Sequence, residues 1–367
     1  MAVNGRAPTP PARPRIAVYG ATGHTGCFVV AELLRRGFAP VAVARDDAKL
    51  AVSGFREQGI VTRAASIGEP TALDSAFAGA AAVINCAGPF LDTADAVAAA
   101  ALRARIHYLD VTAEQPSALA TFDRFGDAAR KAGVAVVPAM GFYGGLGDLM
   151  STAAASGWDV PDEVRVGVAL DSWHPTLGTR ITGQRNTARR LIITDGQLAP
   201  VPQPAPESTW DFPEPFGRQD VVELPFSEVP LIARHLRVAN LRCFINQGPL
   251  RDLRDPTTPP PRAADERGRS PQRFLVEAIV RVGRDRRRAV ALGTDIYAVT
   301  APLVCEAVDR ILDGAVRHGG AFAPGELFDA DDFLRRLSPQ QLTFAPASRL
   351  ASANASSDRR LWAWRNC

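Results

Sequence analysis

The sequence predicts an α/β fold: a doubly wound parallel sheet at the N-terminus, or Rossmann domain, followed by an α+β domain that contains an antiparallel sheet. From Ile16 to Phe142, strand-like and helix-like stretches alternate with short connections, which is typical of a parallel sheet with right-handed crossovers. After Gly144, strand-like stretches follow one another without regular helices between them. A helical pattern returns between Tyr297 and Leu312, and we expect these C-terminal helices to pack back on the Rossmann domain.

The first strand and helix enclose three regularly spaced glycines. The apolar run from Ile16 to Tyr19 indicates a buried strand, and the apolar residues after Gly26 lie on one helical face. Between them, Gly20 allows a sharp turn, Gly23 lets a pyrophosphate approach the backbone and Gly26 lets helix and strand pack closely. Free N–H groups at the helix start favour an anion, so the unit predicts a dinucleotide site, with a purely structural turn as the alternative.

The rest of the first domain continues the alternation. Five further apolar stretches indicate strands, namely PVAVAR, GIVTRAAS, AAVINCAGPF, IHYLD and VAVVPAMGF. Three stretches between them predict helices: PTALDSAFAGA, TADAVAAAALRAR and QPSALATFDRFGDAARKAG. A parallel sheet of six strands is therefore expected.

The second domain is predicted to be rich in strands. Its strand-like stretches are DEVRVGVAL, RRLIITDG, LRVANLRCF, RFLVEAIVRVG and RRAVALGTD, and the last two predict a hairpin with a charged turn. Two proline-rich stretches, 200–215 and 256–271, are too long for simple turns and are typical of lids or disordered insertions. Beyond them, Asp329 is a plausible cap for a short helix in APGELFDADDFLRRL.

These patterns divide the chain into five segments. They are a flexible proline-rich tail at 1–13, the Rossmann domain at 14–147, the α+β substrate domain at 148–295, C-terminal helices at 296–345 and a second tail at 346–367. No internal repeat interrupts this organisation.

Composition and charge argue against several function classes. The net charge is +3 and the basic residues are scattered, so we expect no nucleic-acid partner; the run GRDRRR is interpreted as a solvated hairpin turn. There is no run of about 18 apolar residues, and no membrane partner is expected. The five cysteines fit neither a disulfide framework nor a zinc cluster, which predicts no metal and favours a reducing cytoplasm. The expected partners are a small-molecule substrate and, in a homodimer, a second copy of the chain.

Charged residues after the second strand bear on the choice of cofactor. NAD sites usually carry an acid there, which binds both ribose hydroxyls. This chain instead has Arg45, whose planar guanidinium matches the 2′-phosphate of NADP, and Lys49, four residues later, is also expected to bind the cofactor. NADP is therefore the predicted cofactor. If Asp46 faces the ribose instead, NAD is also permitted.

Four motifs occur in the order VYGATGHTG, VINCAGPF, HYLDVTAE and GFYGGLGDL. Together they resemble the NADP-binding domain of the saccharopine dehydrogenase family, in its short bacterial branch, which includes saccharopine dehydrogenase-like oxidoreductases and trans-acting enoyl reductases. The resemblance covers residues 14–150, and the C-terminal helices also resemble the family, whereas the middle is only loosely similar. The family often has TGE and GFDSxPSD where this chain has TAE and GFYGGLGD, so Ala113, Tyr143 and Gly145 depart from it.

The resemblance implies a set of cofactor-binding residues. The pyrophosphate loop carries Gly20, Thr22, Gly23, His24, Thr25 and Gly26, and the loop beside the nicotinamide ribose carries Asn85, Cys86, Ala87, Gly88 and Pro89. Arg45 falls on the ribose-phosphate position, and Asp110, with His107 and Tyr108, lines the floor of the cleft. These segments follow predicted strands, and ligands bind at the carboxyl ends of strands in doubly wound sheets.

The proton source for hydride transfer is less clearly indicated. No tyrosine has a lysine four residues later, so the mechanism of short-chain dehydrogenases is not indicated. Tyr143, after the sixth strand, is a candidate proton donor, with core or hinge packing as the alternative. His174 is a second candidate, with a surface loop position as the alternative.

Other polar residues have a structural interpretation first. His107 is expected to be a hydrogen-bonded core histidine, and Asp148 to cap the next helix. Cys86 is expected to pack under the nicotinamide rather than act as a nucleophile, because no paired histidine can be identified. A cluster of arginines either binds an acidic substrate or coats a strand pair; it contains Arg180, Arg185, Arg189 and Arg190.

The sequence therefore predicts an NAD(P)H-dependent oxidoreductase that acts on a C=N, C=O or activated C=C bond of a small metabolite, as imine and enoyl reductases do. The substrate is expected between the two domains. The alternative is an NmrA-like protein, which shares GATGHTG and holds NADP as a redox sensor without catalysis. The pair NCAGPF and HYLDVT, with a distinct second domain, favours the enzyme.

Overall fold

The computed structural model describes residues 14–158 and 160–350, so the predicted tail at 1–13 and most of the tail predicted at 346–367 lie outside the described residues. The first sheet is parallel. Numbered in chain order, its strands are β1 (Arg15–Tyr19), β2 (Ala39–Ala44), β3 (Val61–Ala64), β4 (Ala82–Asn85), β5 (His107–Asp110), β6 (Ala135–Val137) and β15 (Gly320–Ala321). Its helices are α1 (His24–Arg35), α2 (Asp47–Ala51), α3 (Pro70–Phe77), α4 (Phe90–Arg103) and α5 (Gln115–Ala132).

The strand order of the first sheet is β15-β6-β5-β4-β1-β2-β3. From β1 the chain runs outwards through β2 and β3, returns to β4 on the other side of β1, and continues through β5 and β6. This reversal creates a topological switch point between β1 and β4, where doubly wound sheets bind ligands. The order confirms the predicted Rossmann domain and adds β15, a strand that the sequence pattern did not indicate.

Both faces of the first sheet are covered. Ile16 and Val18 of β1 belong to one buried cluster, whereas Ala17 and Tyr19 belong to the cluster on the other face. Successive side chains of a strand point to opposite faces, so a strand that is buried on both needs an unbroken apolar run. This explains the unbroken apolar runs of β1 and β2, whereas β3 at the edge of the sheet has no fully buried residue.

The second sheet has nine strands and is mixed rather than purely antiparallel. Its strands are β7 (Glu163–Leu170), β8 (Leu191–Thr194), β9 (Gln197–Pro200), β10 (Glu207–Asp211), β11 (Arg218–Glu223), β12 (Asn240–Asn246), β13 (Arg273–Val282), β14 (Asp285–Thr294) and β16 (Thr343–Arg349). The order is β10-β11-β12-β7-β13-β14-β16, and β8 pairs with β12 and β9 at the side. β13 and β14 form the predicted hairpin, with Val282 opposite Asp285 across the turn.

The helices after the first domain are α6 (Gly147–Ala155), α7 (Leu177–Arg185), α8 (Glu228–His235), α9 (Gln247–Arg254), α10 (Thr300–Arg310), α11 (Pro324–Leu327) and α12 (Ala330–Leu337). Asp329 accepts a hydrogen bond from the Asp332 N–H, which confirms the predicted cap of α12. The first proline-rich stretch contains β10, and residues 343–349 form β16 of the second sheet instead of a return helix or a tail. Within the described residues, no helix is long and apolar enough to cross a membrane.

An ion-pair network holds α10 against α1. Arg36, which directly follows α1, donates to Glu306 at 2.7 Å and to Asp309 at 2.6 Å, both on α10, and to Glu32 at 2.7 Å. Only 13% of the Arg36 side chain is exposed. Burial lowers the pKa of Arg36, but its hydrogen bonds to the three carboxylates outweigh burial and raise it. A single guanidinium therefore keeps three acids together at the contact between the Rossmann domain and the C-terminal helices.

Removing this guanidinium should destabilise the protein strongly. We expect Arg36→Met to lower the free energy of unfolding by about 3 kcal/mol, because it removes the buried cation that three carboxylates share and leaves Glu32 only Arg35 and Glu306 only Arg310 as a partner. The matched control is Arg35→Met, since 47% of the Arg35 side chain is exposed and exposed pairs contribute less than about 1 kcal/mol. Urea unfolding measures both variants, and equal losses would contradict the role assigned to Arg36.

A second buried pair joins α6, α8 and α11. One carboxylate oxygen of Asp148 lies 2.7 Å from Nε2 of His235, and the other accepts a hydrogen bond from the Gly325 N–H at 2.7 Å. Asp148 thus lies at the start of α6 as expected, but its carboxylate binds neighbouring elements instead of capping its own helix. Burial lowers the pKa of His235, but the Asp148 carboxylate, with Glu326, outweighs burial and raises it.

The stabilisation that His235 contributes should therefore depend on pH. Because its folded pKa lies above the unfolded value of about 6.5, the contribution is complete below that pH and is lost as the pH rises through the folded pKa. We expect His235→Gln to lower the free energy of unfolding more at about pH 6 than at about pH 9. Urea unfolding at both values tests this, with His318→Gln as the control at an exposed histidine. A pH-independent loss would contradict the prediction.

Candidate active site

The turn after β1 packs directly on the loop after β4. Gly20 has a φ of +81°, and its N–H donates to the carbonyl of Val43 at the end of β2 at 2.8 Å. A Cβ on Gly20 would lie 2.8 Å from the backbone nitrogen of Ala87. Both the backbone conformation and the space therefore require glycine, and the two loops meet at the switch point of the sheet.

The start of α1 fits a pyrophosphate. A Cβ on Gly26 would lie 2.2 Å from the carbonyl oxygen of Gly20, so the helix approaches the turn as closely as backbone allows. Gly23 is the N-cap, no side chain caps the helix, and the first turn carries no acid. Uncapped N–H groups and the helix dipole favour an anion at this position. The half-buried Thr22 and Thr25 flank the exposed Gly23.

The imidazole of His24 points into the protein between its neighbours. Its ring is edge-on to Phe28 at 5.2 Å and to Tyr297 at 5.3 Å between centroids. Nε2 is buried and has no hydrogen-bond partner. Burial lowers the pKa of His24, against the opposing effect of Asp295. A neutral imidazole with an unpaired nitrogen therefore lies directly after the glycine turn.

The end of β2 fits the 2′-phosphate that distinguishes NADP. Arg45 is exposed there. Asp46, the alternative partner of the ribose, caps α2 by accepting hydrogen bonds from the N–H groups of Ala48 at 3.0 Å and Lys49 at 3.3 Å. Lys49 itself is exposed on α2. The acid that would favour NAD is therefore already bound to the helix, whereas the guanidinium that favours NADP is accessible.

The side chain of Asn85 shapes the loop after β4. Its Oδ1 accepts from the Ala87 N–H at 3.0 Å, and its Nδ2 donates to Thr93 Oγ1 at 3.2 Å and to the Tyr108 hydroxyl at 3.5 Å. The residue is completely buried. The side chain therefore positions the loop, and the contact of Asn85 with the cofactor stays a prediction. The half-buried Cys86, Ala87 and Pro89 and the exposed Gly88 form the accessible part of the loop.

Asp110 holds the carboxyl ends of β5 and β6 together. Its Oδ1 accepts from the N–H groups of Thr112 at 3.0 Å and Ala139 at 2.8 Å, and its Oδ2 accepts from the Tyr108 hydroxyl at 2.8 Å. Asp110 is completely buried, and burial raises its pKa. These hydrogen bonds give Asp110 a positioning role, and its contact with the cofactor stays a prediction. Glu114 acts similarly by accepting from the Phe90 N–H at 2.7 Å, at the start of α4.

Two further residues have the structural roles that the sequence favoured. His107 Nδ1 accepts a hydrogen bond from the Ala135 N–H at 2.9 Å, and burial lowers the pKa of the imidazole, as expected of a core histidine. Burial, with the nearby Asp110, raises the pKa of Cys86 strongly. A neutral thiol is a poor nucleophile, which supports a packing role for Cys86. The described residues contain no cluster of three metal-ligating side chains.

A helix of the second domain lies across the loop after β4. A Cβ on Gly88 would lie 3.1 Å from Thr182 Oγ1 of α7. Arg185, at the end of α7, donates to Asp92 of α4 at 2.9 Å. None of the residues of α7 is buried. The helix therefore covers this side of the cleft without belonging to a core.

Tyr143 lies in an irregular turn after β6, at residues 142–146. The turn needs Gly144, whose φ is +129° and whose Cβ would lie 2.7 Å from the Ala139 carbonyl. The Tyr143 ring stacks on Trp173 at 5.5 Å and on Phe226 at 4.2 Å between centroids. Its hydroxyl is buried and has no hydrogen-bond partner. Burial, with the nearby Tyr297 and Glu228, raises its pKa well above the ordinary value.

Tyr297 connects the glycine turn to α7, a role that the sequence did not suggest. Its hydroxyl accepts from Trp173 Nε1 at 3.1 Å and lies 3.0 Å from Thr179 Oγ1. The same ring contacts His24. The only feature of the sequence that draws attention to Tyr297 is its position just before α10. Trp173 thus touches both tyrosines, and we call Tyr143, Trp173, Phe226 and Tyr297 the aromatic cluster.

His174 points away from this cluster. Its Nδ1 lies 3.2 Å from the carbonyl oxygen of Pro259, in the second proline-rich stretch. Trp173 faces the cluster, and neighbouring side chains of an extended segment point to opposite sides. This contact favours the surface loop alternative for His174, and its catalytic role stays a prediction.

The four arginines of the predicted cluster have different surroundings in the structure. Arg180 donates to the carbonyl of Thr258 at 2.8 Å and holds the second proline-rich stretch. Arg185 pairs with Asp92, and Arg189 is exposed. Arg190 lies over the Phe226 ring, 4.5 Å from its centroid, and donates to the Pro225 carbonyl at 2.7 Å. Only Arg190 therefore reaches the aromatic cluster.

Comparisons with known proteins agree with this geometry. Residues 16–139 match the family described as saccharopine dehydrogenase NADP binding domain. A search of curated protein sequences gives no match. Apo saccharopine dehydrogenase (L-Glu forming) from Saccharomyces cerevisiae has a TM-score of 0.65 at 12% identity, covering 92% of this chain and 100% of that one. Amine dehydrogenase from Mycobacterium smegmatis has a TM-score of 0.49 at 12% identity, covering 85% and 95%.

The family match and the superposition on saccharopine dehydrogenase cover different lengths of the chain. The match identifies the N-terminal domain, and the superposition shows that the fold of the whole described chain is shared. Residues 16–139 are therefore a saccharopine dehydrogenase NADP-binding domain, which makes the protein an NADP-dependent oxidoreductase, and the described chain shares the fold of saccharopine dehydrogenase.

Proposed function

We propose that the protein reduces a C=N, C=O or activated C=C bond of a small metabolite bound between the carboxyl edge of the first sheet and the second sheet. The observation that carries the proposal is the buried, unpaired hydroxyl of Tyr143 in the aromatic cluster. It follows β6, whose carboxyl end lies on the edge where doubly wound sheets bind ligands. A buried hydroxyl without a partner is costly, and a substrate oxygen or nitrogen would complete it.

Different parts of the site would have different roles in such a reaction. The start of α1 would hold the pyrophosphate of NADPH, and Arg45 its 2′-phosphate. Bound there, NADPH supplies a hydride. The aromatic cluster and α7 exclude water from the cleft, and Tyr297 holds α7 through Thr179. Hydride transfer needs little more than this orientation, a dry site and a proton.

Tyr143 supplies the proton in this proposal. Its raised pKa keeps the phenol protonated at neutral pH, so the hydroxyl is a donor when the substrate arrives. The Arg190 guanidinium opposes the rise in that pKa and would stabilise the phenolate left after donation. Water then returns the proton as the product leaves. The neutral imidazole of His24 faces Tyr297 and is not required as the donor.

A location in the cytoplasm remains a proposal. The four described cysteines are all unpaired, which supports a reducing compartment of this kind.

A homodimer stays a prediction from the sequence. A sedimentation measurement of the purified chain would test the oligomeric state directly.

Arg45 should determine the cofactor preference. A charge-assisted contact with phosphate contributes about 1.5–3 kcal/mol, so Arg45→Asp should weaken NADPH binding at least about tenfold and spare NADH. Titration of nicotinamide fluorescence measures both affinities. Lys131→Asp is the control, since it makes the same charge change at an exposed residue of α5. Equal affinity of the natural chain for NADPH and NADH would refute the assignment.

Tyr143→Phe should separate catalysis from binding. General acid catalysis supplies about 10²–10⁴-fold in rate, so kcat should fall by that factor while NADPH affinity stays the same. The measurement is NADPH oxidation with a panel of imines, ketones and enones. Retention of most of the turnover, while the chemical step limits the rate, would make Tyr143 a packing residue. NADPH binding with no oxidation across the panel would instead favour the sensor alternative.

A further inference from the structure

The hydroxyl of Tyr297 holds the start of α7. It accepts from Trp173 Nε1 at 3.1 Å and from the Thr176 N–H at 3.4 Å, and it lies 3.0 Å from Thr179 Oγ1. Thr176 is the N-cap of α7, since its side chain accepts from the Thr179 N–H at 3.1 Å. A phenol has one proton to donate and two lone pairs, so donation to Thr179 completes the hydroxyl. Burial raises the pKa of Tyr297, which keeps the phenol protonated for this bond.

Tyr297 itself is fixed to the elements behind it rather than to α7. Asp295, which is completely buried, accepts from the N–H groups of Tyr297 at 2.9 Å and Ala298 at 3.0 Å. Its other oxygen accepts from the Ser270 N–H at 2.7 Å, at the end of the second proline-rich stretch. The segment leads into α10, which Arg36 joins to α1. Of the two elements that meet at the Tyr297 hydroxyl, α7 is therefore the more weakly held.

The ring of Tyr297 also meets the glycine turn. His24 is the first residue of α1, and its ring lies edge-on to that of Tyr297 at 5.3 Å between centroids. The first N–H groups of a helix have no partner within the helix, so the backbone of His24 belongs to the anion site. Its Nε2 has no hydrogen-bond partner among the described residues, so packing alone holds the imidazole between Phe28 and Tyr297. One residue thus links phosphate binding to the ring that holds α7.

The contacts of α7 make it sensitive to how firmly Tyr297 is held. None of its residues is buried. Besides Tyr297, it is held by the Arg185–Asp92 pair and by the hydrogen bond from Arg180 to the Thr258 carbonyl. Elements with few buried contacts open locally far more often than a core does. Small changes at the Tyr297 hydroxyl should therefore shift the equilibrium between docked and undocked α7.

We propose that Tyr297 is a positioning residue that couples NADP binding at the glycine turn to the docking of α7 over the loop at Gly88. Phosphate oxygens that accept the free N–H groups order the first turn of α1, which keeps His24 against Tyr297 and the phenol aligned with α7. A ligand that has already ordered one element lowers the entropic cost of ordering the next, and this couples the two sites. The inference rests on the NADP site of the proposed function, but on neither its substrate nor Tyr143 as the proton donor.

Hydrogen–deuterium exchange of the full chain measures the docking of α7 directly. The amides of Leu177–Arg185 are followed with and without saturating NADP⁺. We expect NADP⁺ to slow their exchange at least about fivefold, the lower end of ordinary coupling. A second probe, 2′-phospho-ADP-ribose, carries the phosphates but no nicotinamide, and it should protect α7 equally. Protection by NADP⁺ alone would mean that the nicotinamide itself contacts α7, and would overturn the proposal.

Two variants interrupt the coupling at different points. Tyr297→Phe keeps the ring and removes the hydroxyl, whereas His24→Ala keeps the backbone N–H and removes the imidazole. Each should abolish the protection of α7 by NADP⁺. Arg185→Gln is the matched control, since it weakens α7 in both states and should leave the ratio of the two exchange rates unchanged.

The affinity for NADP⁺ distinguishes a positioning residue from a binding residue. Coupling is reciprocal, so Tyr297→Phe should weaken NADP⁺ binding by no more than the factor of protection that is lost. A larger fall would mean that Tyr297 contacts the cofactor directly, which would contradict the positioning role. If Tyr297→Phe does not fold, His24→Ala and the two probes in the natural chain still decide.

The outcomes separate this proposal from the proposed function. Protection of α7 that survives either variant would show that Tyr297 only packs between the elements, and the reductase would stand. Protection that both variants abolish, in a chain that oxidises NADPH with no substrate of the panel, would retain the coupling and refute the reductase. A natural chain that binds no NADP⁺ would refute both.

Discussion

The carboxylate of Asp110 is the constraint on which the carboxyl edge of the first sheet depends. A buried acid with three hydrogen bonds fixes the Tyr108 hydroxyl, the turn at Thr112 and the backbone at Ala139. Tyr108 in turn meets Asn85, which sets the loop after β4. The turn that presents Tyr143 starts just beyond Ala139. The candidate active site is therefore placed by a polar network beneath it rather than by the residues that would touch ligands.

The sequence predicts the parts of this fold that depend on neighbouring residues. The strand, glycine turn and helix of the first unit, the β13–β14 hairpin and the cap at Asp329 each result from contacts within a short segment. They are indicated by the spacing of apolar residues, the positions of glycines and the presence of a capping side chain, all of which can be read within a short segment. The glycine turn, Arg45 and Tyr143 are also the site predictions whose surroundings fit the proposed roles.

The remaining features depend on residues far apart in the chain. Asn85 and Asp110 follow strands as ligand-binding residues do, but only the packing of other loops buries them. His174 and Trp173 are adjacent, and only the fold decides which of them faces Tyr143. The bridge that Tyr297 forms to α7 joins segments more than a hundred residues apart. The periodicity of a single sequence does not indicate which distant residues come into contact.

The way α7 is held bears on access to the cleft from the Gly88 side. The helix crosses the loop at Gly88, yet it has no buried residue. It is held by the Arg185–Asp92 pair, the hydroxyl contacts of Tyr297 and the hydrogen bond from Arg180 to Thr258. Exposed pairs of this kind contribute about 0–1 kcal/mol, far less than a packed core helix. Displacing α7 is therefore cheap compared with separating the two sheets. Displacement of α7 would therefore open the Gly88 side of the cleft without disturbing either buried core.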